Sequence, residues 1–85
     1  MQVLIPSSLR SYTRLMRVQA SGTTLGELLA DLERQFPGIR FRMVDEQDRI
    51  RPHMRVFVGG RAIHDLAQPL QPADDVNHVQ ALSGG

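Results

Sequence analysis

Hydrophobic and polar residues change their spacing several times along this chain, and each change predicts an element. The short apolar run Gln2-Val3-Leu4-Ile5 ends at Pro6, which is typical of a strand. From Thr13 to Ala20, apolar residues that include Met16 alternate with polar ones, which indicates a half-buried second strand. We expect these two strands to form a hairpin in which residues 7–12 are a long loop.

The spacing then becomes that of an amphipathic helix. The apolar positions are Leu25, Leu28, Leu29, Leu32 and Phe36. Thr24 and Glu27 match a capping box, and Pro37-Gly38 ends the helix because proline cannot continue the hydrogen-bond ladder. The pattern predicts a helix over residues 24–36 that packs on a sheet, and Gly26 indicates close packing there.

Residues 39–54 are polar and irregular, with charges of both signs. This mixture favours a solvated loop over a basic patch. The apolar run Val56-Phe57-Val58, the turn Gly59-Gly60 and the segment from Arg61 to Ile63 predict a hairpin. An outward-facing Phe57 would be a candidate docking residue on an uncovered sheet face.

A last strand is predicted from Val76 to Leu82. Alternation puts His78 and Gln80 on one face and Val79 with Ala81 on the other, and the sequence leaves open which face is buried. The element order is therefore β-β-α-β-β-β. It predicts an α+β fold in which one principal helix packs on one face of a mixed sheet.

Composition narrows the function. The 85 residues include no cysteine, and all ten cationic residues are arginine, so a disulfide framework, a thiolate site and a Schiff-base lysine are excluded. The net charge of +1 argues against nonspecific attraction to nucleic acid or membranes. There is no run of 18 apolar residues. We expect one domain, residues 1–85, in the cytoplasm.

No catalytic or metal site of its own is predicted for this chain. His53, His64 and His78 are widely spaced and have no cysteine beside them, so surface or interface histidines are favoured over metal ligands. Gly59-Gly60 lacks the flanking pattern and the lysine of a phosphate loop.

The chain ends in Ser83-Gly84-Gly85, directly after the last predicted strand. Glycine has no Cβ, so a Gly-Gly end is thin enough to enter a narrow pocket, and it carries a bare carboxylate at its tip. We expect residues 83–85 to form a flexible tail that delivers this carboxylate into another protein's active site. The alternative is a terminus that is merely frayed.

The whole pattern resembles the β-grasp, ubiquitin-like fold, and in particular the prokaryotic sulfur-carrier proteins. These comprise the small subunit of molybdopterin synthase, the thiamine sulfur carrier (together MoaD/ThiS-like proteins) and the carriers of cysteine or homocysteine synthesis. The matching segments are Val3-Leu4-Ile5-Pro6 with Leu9-Arg10, Thr24-Leu25-Gly26-Glu27-Leu28, Val56-Phe57-Val58-Gly59-Gly60, Pro69-Leu70, Asp74-Asp75-Val76 and Gly84-Gly85.

Within that family, the opening Ile5-Pro6-Ser7-Ser8-Leu9-Arg10 and the stretch from Ser21 to Gly26 look most like the amino-acid biosynthetic carriers. The last strand departs from the family. His78 and Gln80 stand at positions that are often apolar and proline, which leaves the identity of the partner open.

The resemblance implies a chemistry for the tail. An ATP-dependent, E1-like adenylating enzyme would activate the carboxylate of Gly85, and a sulfurtransferase or another sulfur donor would convert it to a thiocarboxylate. Ser83 and Gly84 would enter the partner's active site. The sulfur would pass to a sulfhydrylase-like enzyme or to a molybdopterin or thiazole synthase.

The resemblance further implies that the protein is a cosubstrate that binds no cofactor, and not an enzyme, although it could be counted as the small subunit of a synthase. The alternative function is a ubiquitin-like interaction or conjugation module without sulfur transfer.

Overall fold

The computed structural model describes residues 1–71 and the backbone of residues 79–83. Within these residues the strands are β1 (Gln2–Leu4), β2 (Arg17–Gln19), β3 (Met54–Val58), β4 (Arg61–Ile63) and β5 (Val79–Ser83). The helices are a 3-10 turn (Ser7–Leu9), α1 (Arg10–Thr13), α2 (Leu25–Gln35) and α3 (Ile39–Met43).

The strands form one mixed sheet in the order β2-β1-β5-β3-β4. The neighbouring pairs β1–β2 and β3–β4 are the two predicted antiparallel hairpins. The last strand, β5, lies between them, parallel to β1 and antiparallel to β3. The C-terminal ends of β1 and β5 and the N-terminal end of β3 therefore lie at one end of the sheet, which we call the tail end.

Helix α2 covers one face of this sheet, as its apolar stripe predicts. Its four leucines, Leu25, Leu28, Leu29 and Leu32, are each no more than 1% exposed. They form one core with the inward residues of the sheet, among them Val3, Val18 and Val56, and Phe36 packs against that core while partly exposed. Burial of this stripe is the main apolar contribution of the helix.

The predicted N-cap at Thr24 forms. The carboxylate of Glu27, which in a capping box would accept from the N-cap residue, accepts instead from Thr23, one residue earlier. Thr24 Oγ1 accepts a hydrogen bond from the backbone N–H of Glu27 at 3.2 Å. The Glu27 carboxylate accepts from the hydroxyl and the backbone N–H of Thr23, and these bonds lower the pKa of Glu27. The backbone N–H of Thr23, before the helix, and that of Glu27, in its first turn, therefore both have a hydrogen-bond acceptor.

Gly26 packs closely against the loop after β4 and not against the sheet. The expectation of close packing on the sheet is therefore wrong. The Gly26 backbone N–H donates to the Leu66 carbonyl at 2.8 Å, and the Leu25 N–H donates to the Gln68 carbonyl at 3.0 Å. A Cβ on Gly26 would lie 3.3 Å from the Leu66 oxygen. The loop after β4 therefore satisfies free donors of the first turn of α2.

The predicted loop over residues 7–12 is helical, and β2 is shorter than predicted. The Leu15 N–H donates to Thr13 Oγ1, and Arg14 takes a left-handed conformation with φ of 59°. The chain consequently turns before it enters β2 at Arg17. Met16 is 60% exposed, so the predicted alternation of buried residues begins only at Val18.

Residues 39–54 also contain structure that the charge pattern conceals. Gly38, with φ of +99°, turns the chain into α3. Ile39 and Met43 share the inner face of α3 and are buried, as is Val44. The prediction of an irregular loop is wrong for this part because two buried residues, four apart, outweigh the charged neighbours.

The turn Gly59-Gly60 confirms the second hairpin, since both residues have positive φ, 59° and 82°. The last strand runs from Val79 to Ser83, against a prediction of Val76 to Leu82, and residues 76–78 lie outside the described part. In the described ranges, no helix is long and apolar enough to cross a membrane.

Candidate functional site

The strand that leads to the predicted tail lies in the middle of the sheet. Val79 and Gln80 are held on both sides, by β1 and by β3, and the pairing with β3 continues to Ser83, opposite Met54. Ser83, predicted as the start of the tail, is thus the last residue of β5. Gly84 and Gly85 lie outside the described residues, so the flexibility of the tail stays a prediction.

The backbone register answers part of the question about the two faces of β5. Val79 is opposite Val58, and Ala81 is opposite Val56, two residues whose side chains are buried beneath α2. Gln80 is opposite Phe57. Because directly opposite residues share a face of the sheet, Gln80 is placed at a position of the uncovered face. His78 lies outside the described residues.

Phe57 occupies that uncovered face, as predicted for a docking residue. It is half-buried and stands between the buried residues Val56 and Val58 of β3. Its register partners are Ala62 on β4 and Gln80 on β5. A docking role for Phe57 stays a prediction.

The tail end of the sheet carries exposed apolar side chains. In the part of the chain whose side chains are described, the exposed large hydrophobic residues are Leu15, Met16 and Phe41, between 55% and 60% exposed. The Met16 carbonyl accepts from the Ile5 N–H at 2.8 Å, just beyond the end of β1. Phe41, on α3, is reached by Arg51, three residues before β3 begins at Met54. Met16 and Phe41 therefore lie toward the tail end of the sheet.

Beside Phe41 lies a cleft with two arginines, which we call the arginine cleft. It is lined by Phe41, Arg42, Arg51 and His53. Arg51 stacks over the Phe41 ring, 4.6 Å from its centroid, and its Nε donates to the Phe41 carbonyl at 2.7 Å. Arg42 Nε donates to the Tyr12 hydroxyl at 2.8 Å, a bond that raises the pKa of Arg42.

Sequence reasoning missed this cleft because it treated the alternating charges as one solvated loop. Two of the arginines in this segment do pair with neighbouring acidic residues, as the alternation of charges predicts. Arg40 pairs with Asp48 at 3.1 Å, and Arg49 pairs with Asp45 at 3.8 Å. The pKa of Asp45 is lowered by the backbone N–H of Arg49 and, among smaller causes, by the charges of Arg49 and Arg51. A usable signal was the i, i+4 spacing of Ile39 and Met43, which predicts a helix with arginines on its outer face.

The described side chains contain no cluster of three or more histidine, cysteine or acidic residues that could hold a metal ion. His53 and His64, two of the three predicted surface histidines, are exposed. The groups that this structure offers for chemistry are consequently the sheet-anchored β5, its flanking apolar residues and the arginine cleft.

Comparison with known proteins identifies the family. The ThiS family matches residues 3–85, so the chain belongs to the ThiS family. The sulfur carrier protein CysO of Mycobacterium bovis and that of Mycobacterium tuberculosis are each 33% identical to it over 89 residues. These alignments cover 98% of this chain and 96% of each relative.

Solved structures agree in fold. The crystal structure of the Amycolatopsis orientalis BexX/CysO complex matches with a TM-score of 0.86 and 26% identity, covering 99% of this chain and 98% of that one. Mycobacterium tuberculosis CysO matches at 0.79 and 26%, covering 95% and 92%. SAMP1 from Haloferax volcanii matches at 0.68 over 100% and 98% of the chains, and at 20% identity it bears on the fold alone.

These comparisons confirm the resemblance found in the sequence, the β-grasp fold and sulfur carriage as the function. A carrier similar to this chain occurs in a complex with another protein, BexX, so carriers of this kind have protein partners.

Proposed function

We propose that this sulfur carrier works through the carboxylate of Gly85, which is adenylated and then converted to a thiocarboxylate. The observation that supports it is the position of β5. This strand is paired on both sides at the centre of the sheet and continues to Ser83, and Gly84 and Gly85 follow in the sequence. A tail that starts from a rigid base, and that has no side chains, suits insertion into a partner's active site.

Activation is needed because a carboxylate is anionic and has no good leaving group. In the proposed first step, a carboxylate oxygen of Gly85 attacks the α-phosphorus of ATP. A new P–O bond forms, and pyrophosphate leaves. The product is an acyl-adenylate whose carbonyl carbon is a good electrophile.

Sulfur then replaces AMP. With a sulfide donor, the sulfur attacks the carbonyl carbon, the bond to the adenylate oxygen breaks and AMP leaves, so that a thiocarboxylate remains. With a persulfide donor, the same attack gives an acyl disulfide. A second thiolate of the donor system attacks the donor's sulfur, forms a disulfide with it and releases the thiocarboxylate. Like a thiolate, this group is nucleophilic in its anionic form.

In this scheme the protein is a cosubstrate and binds no cofactor, since ATP is bound by an E1-like adenylating enzyme. A sulfurtransferase or another donor supplies the sulfur. We place the reaction in the cytoplasm, where ATP is available. Gly84 and Gly85 pass into the active site of the partner and Ser83, the last residue of β5, stands at its entrance, while the uncovered sheet face around Phe57 docks against the partner's surface.

For the final acceptor we propose a sulfhydrylase-like enzyme of cysteine or homocysteine synthesis. The support is the amino-acid-carrier character of residues 5–10 and the identity to proteins named CysO. A molybdopterin synthase or a thiazole synthase would use the same thiocarboxylate. The acceptor is therefore identified by incubating the thiocarboxylated protein with an enzyme of each class and measuring sulfur transfer.

The test is reconstitution with the adenylating enzyme of the same organism, ATP and a sulfide or persulfide donor. The intact protein is expected to gain the mass difference between one sulfur and one oxygen, and fragmentation is expected to place that gain on Gly85. An unchanged mass, or sulfur on an internal residue, would contradict the proposal. A product joined through Gly85 to a lysine of another protein would favour a conjugation module instead.

A further inference from the structure

Two arginines in the arginine cleft are held by their inner nitrogen atoms. Arg42 donates from Nε to Tyr12, and Arg51 donates from Nε to the Phe41 carbonyl. Stacking on the Phe41 ring fixes the plane of the Arg51 guanidinium further. Among the described residues, no hydrogen bond is seen from the terminal nitrogen atoms of either side chain. Guanidinium groups positioned in this way can bind a carboxylate with little loss of side-chain entropy.

Among the residues that the structure describes, none that lines the cleft carries a carboxylate. Its lining consists of Phe41, Arg42, Arg51 and His53. The nearby acids Asp45 and Asp48 are already paired with Arg49 and Arg40. Within the described part of the chain, neither Arg42 nor Arg51 belongs to an ion pair. Among the described side chains, the charge of Arg51 acts on Asp45 without forming an ion pair, and no carboxylate is paired with the guanidinium of Arg42.

The position of the cleft relates it to the tail. His53 directly precedes Met54, and Met54 is opposite Ser83, the last described residue before Gly84 and Gly85. A partner that receives the tail must approach this end of the sheet, so its surface would meet Phe41, Arg42 and Arg51 at the same time.

We propose that the arginine cleft docks an acidic surface segment of the adenylating enzyme, with a carboxylate between Arg42 and Arg51 and an apolar side chain against Phe41. This inference rests on the proposed function, because it assigns a docking site to the enzyme that activates Gly85.

The mixed character of the cleft favours a protein over a nucleic acid. Phe41 is 59% exposed and offers an apolar surface beside the two charges, which is the composition of a protein docking site. A nucleic-acid backbone needs a run of cationic side chains that follows its phosphates. Here the two flanking arginines, Arg40 and Arg49, are occupied by carboxylates.

The experiment compares three variants in ATP–pyrophosphate exchange with the adenylating enzyme. R42E combined with R51E reverses both charges, and F41A removes the apolar contact. R61E is the matched control, since Arg61 is exposed on β4 and is opposite Val58, at the end of the sheet remote from Ser83. Urea unfolding of each variant checks that the fold is retained.

We expect the double variant to raise the KM for the carrier by about tenfold or more, since reversed charges repel the acidic partner surface. F41A is expected to raise KM by about threefold or more, as for truncation of an apolar contact. In both cases kcat should change less than KM because Gly85 is intact. Added salt should raise KM for the wild type and have little effect on the double variant.

The inference is overturned if the double variant and F41A show the KM of wild type and of R61E, or if R61E is impaired as strongly as the double variant. Because F41A changes an exposed side chain, it remains a valid test even if the double variant does not fold. Failure of the proposed function is distinguishable, since the wild-type protein itself would then not be activated.

Discussion

Leu29 illustrates how a single residue of α2 maintains the fold. It is 1% exposed and lies in the core between the helix and the sheet. We predict that Leu29→Ala lowers the free energy of unfolding by about 2–5 kcal/mol, because it leaves a cavity that the neighbours fill only in part. Urea denaturation measures this change.

The matched control for that substitution is Leu15→Ala, at a position that is 55% exposed. It should change the free energy of unfolding by no more than about 0.5 kcal/mol. Similar losses for the two variants would mean that α2 is not packed as described.

Gly22 gives a second test at the residue scale, because the backbone of α2 approaches it too closely to leave room for a side chain. A Cβ at this position would lie 2.5 Å from the backbone nitrogen of Leu28, which belongs to α2 and cannot move aside alone. We predict that Gly22→Ala destabilises the protein by about 1–3 kcal/mol, as for overpacking. Ser21→Ala, at the exposed neighbouring residue, should be close to neutral in the same thermal or urea unfolding.

At the scale of elements, the sequence predicts those helices and turns whose signals lie within a few neighbouring residues. Helix α2, its Thr24 cap and the Gly59-Gly60 hairpin all follow from spacing and turn chemistry within a few residues. The short helix α3 was missed because its two inward residues, Ile39 and Met43, stand among charged ones. The helical turns of residues 7–13 depend on packing against the sheet, which local propensity does not encode.

The junction between α2 and α3 is held by one carboxylate. Glu33 accepts hydrogen bonds from the backbone N–H groups of Gly38, at 2.9 Å, and of Arg40, at 3.0 Å. These bonds lower the pKa of Glu33 in the folded protein. A depressed folded-state pKa means that the stabilisation is complete above the unfolded pKa and is lost as the pH falls through the folded one.

We therefore predict that Glu33→Gln lowers stability at neutral pH and weakens the loss of stability on acidification below about pH 4.3. The measurement is the urea midpoint as a function of pH. Glu46→Gln, in the exposed turn before β3, is the control for removal of one negative charge and should change the free energy of unfolding at neutral pH by no more than about 0.5 kcal/mol. A pH profile of Glu33→Gln that parallels that of the wild type would contradict the role of this carboxylate.

At the scale of the whole molecule, the fold holds the strand that leads to the proposed sulfur-carrying end at the centre of the sheet. The central strand β5 carries the chain to Ser83 at the end of the sheet where Phe41 and the two cleft arginines lie. The Gly-Gly end and the family could be predicted from sequence because they lie in linear motifs. The arginine cleft could not, since it joins α3 to the segment before β3 and is braced by Tyr12 of α1.

The central claim is that sulfur is carried on the carboxylate of Gly85, and the most direct measurement is intact-mass spectrometry of two altered chains. One lacks Gly85, and the other has one residue added after it. With the adenylating enzyme, ATP and a sulfur donor, the wild type should gain sulfur in exchange for oxygen, whereas neither altered chain should change in mass. Both should retain the unfolding midpoint of the wild type, because terminal residues contribute little to burial. Sulfur incorporation by the chain without Gly85 would contradict the account.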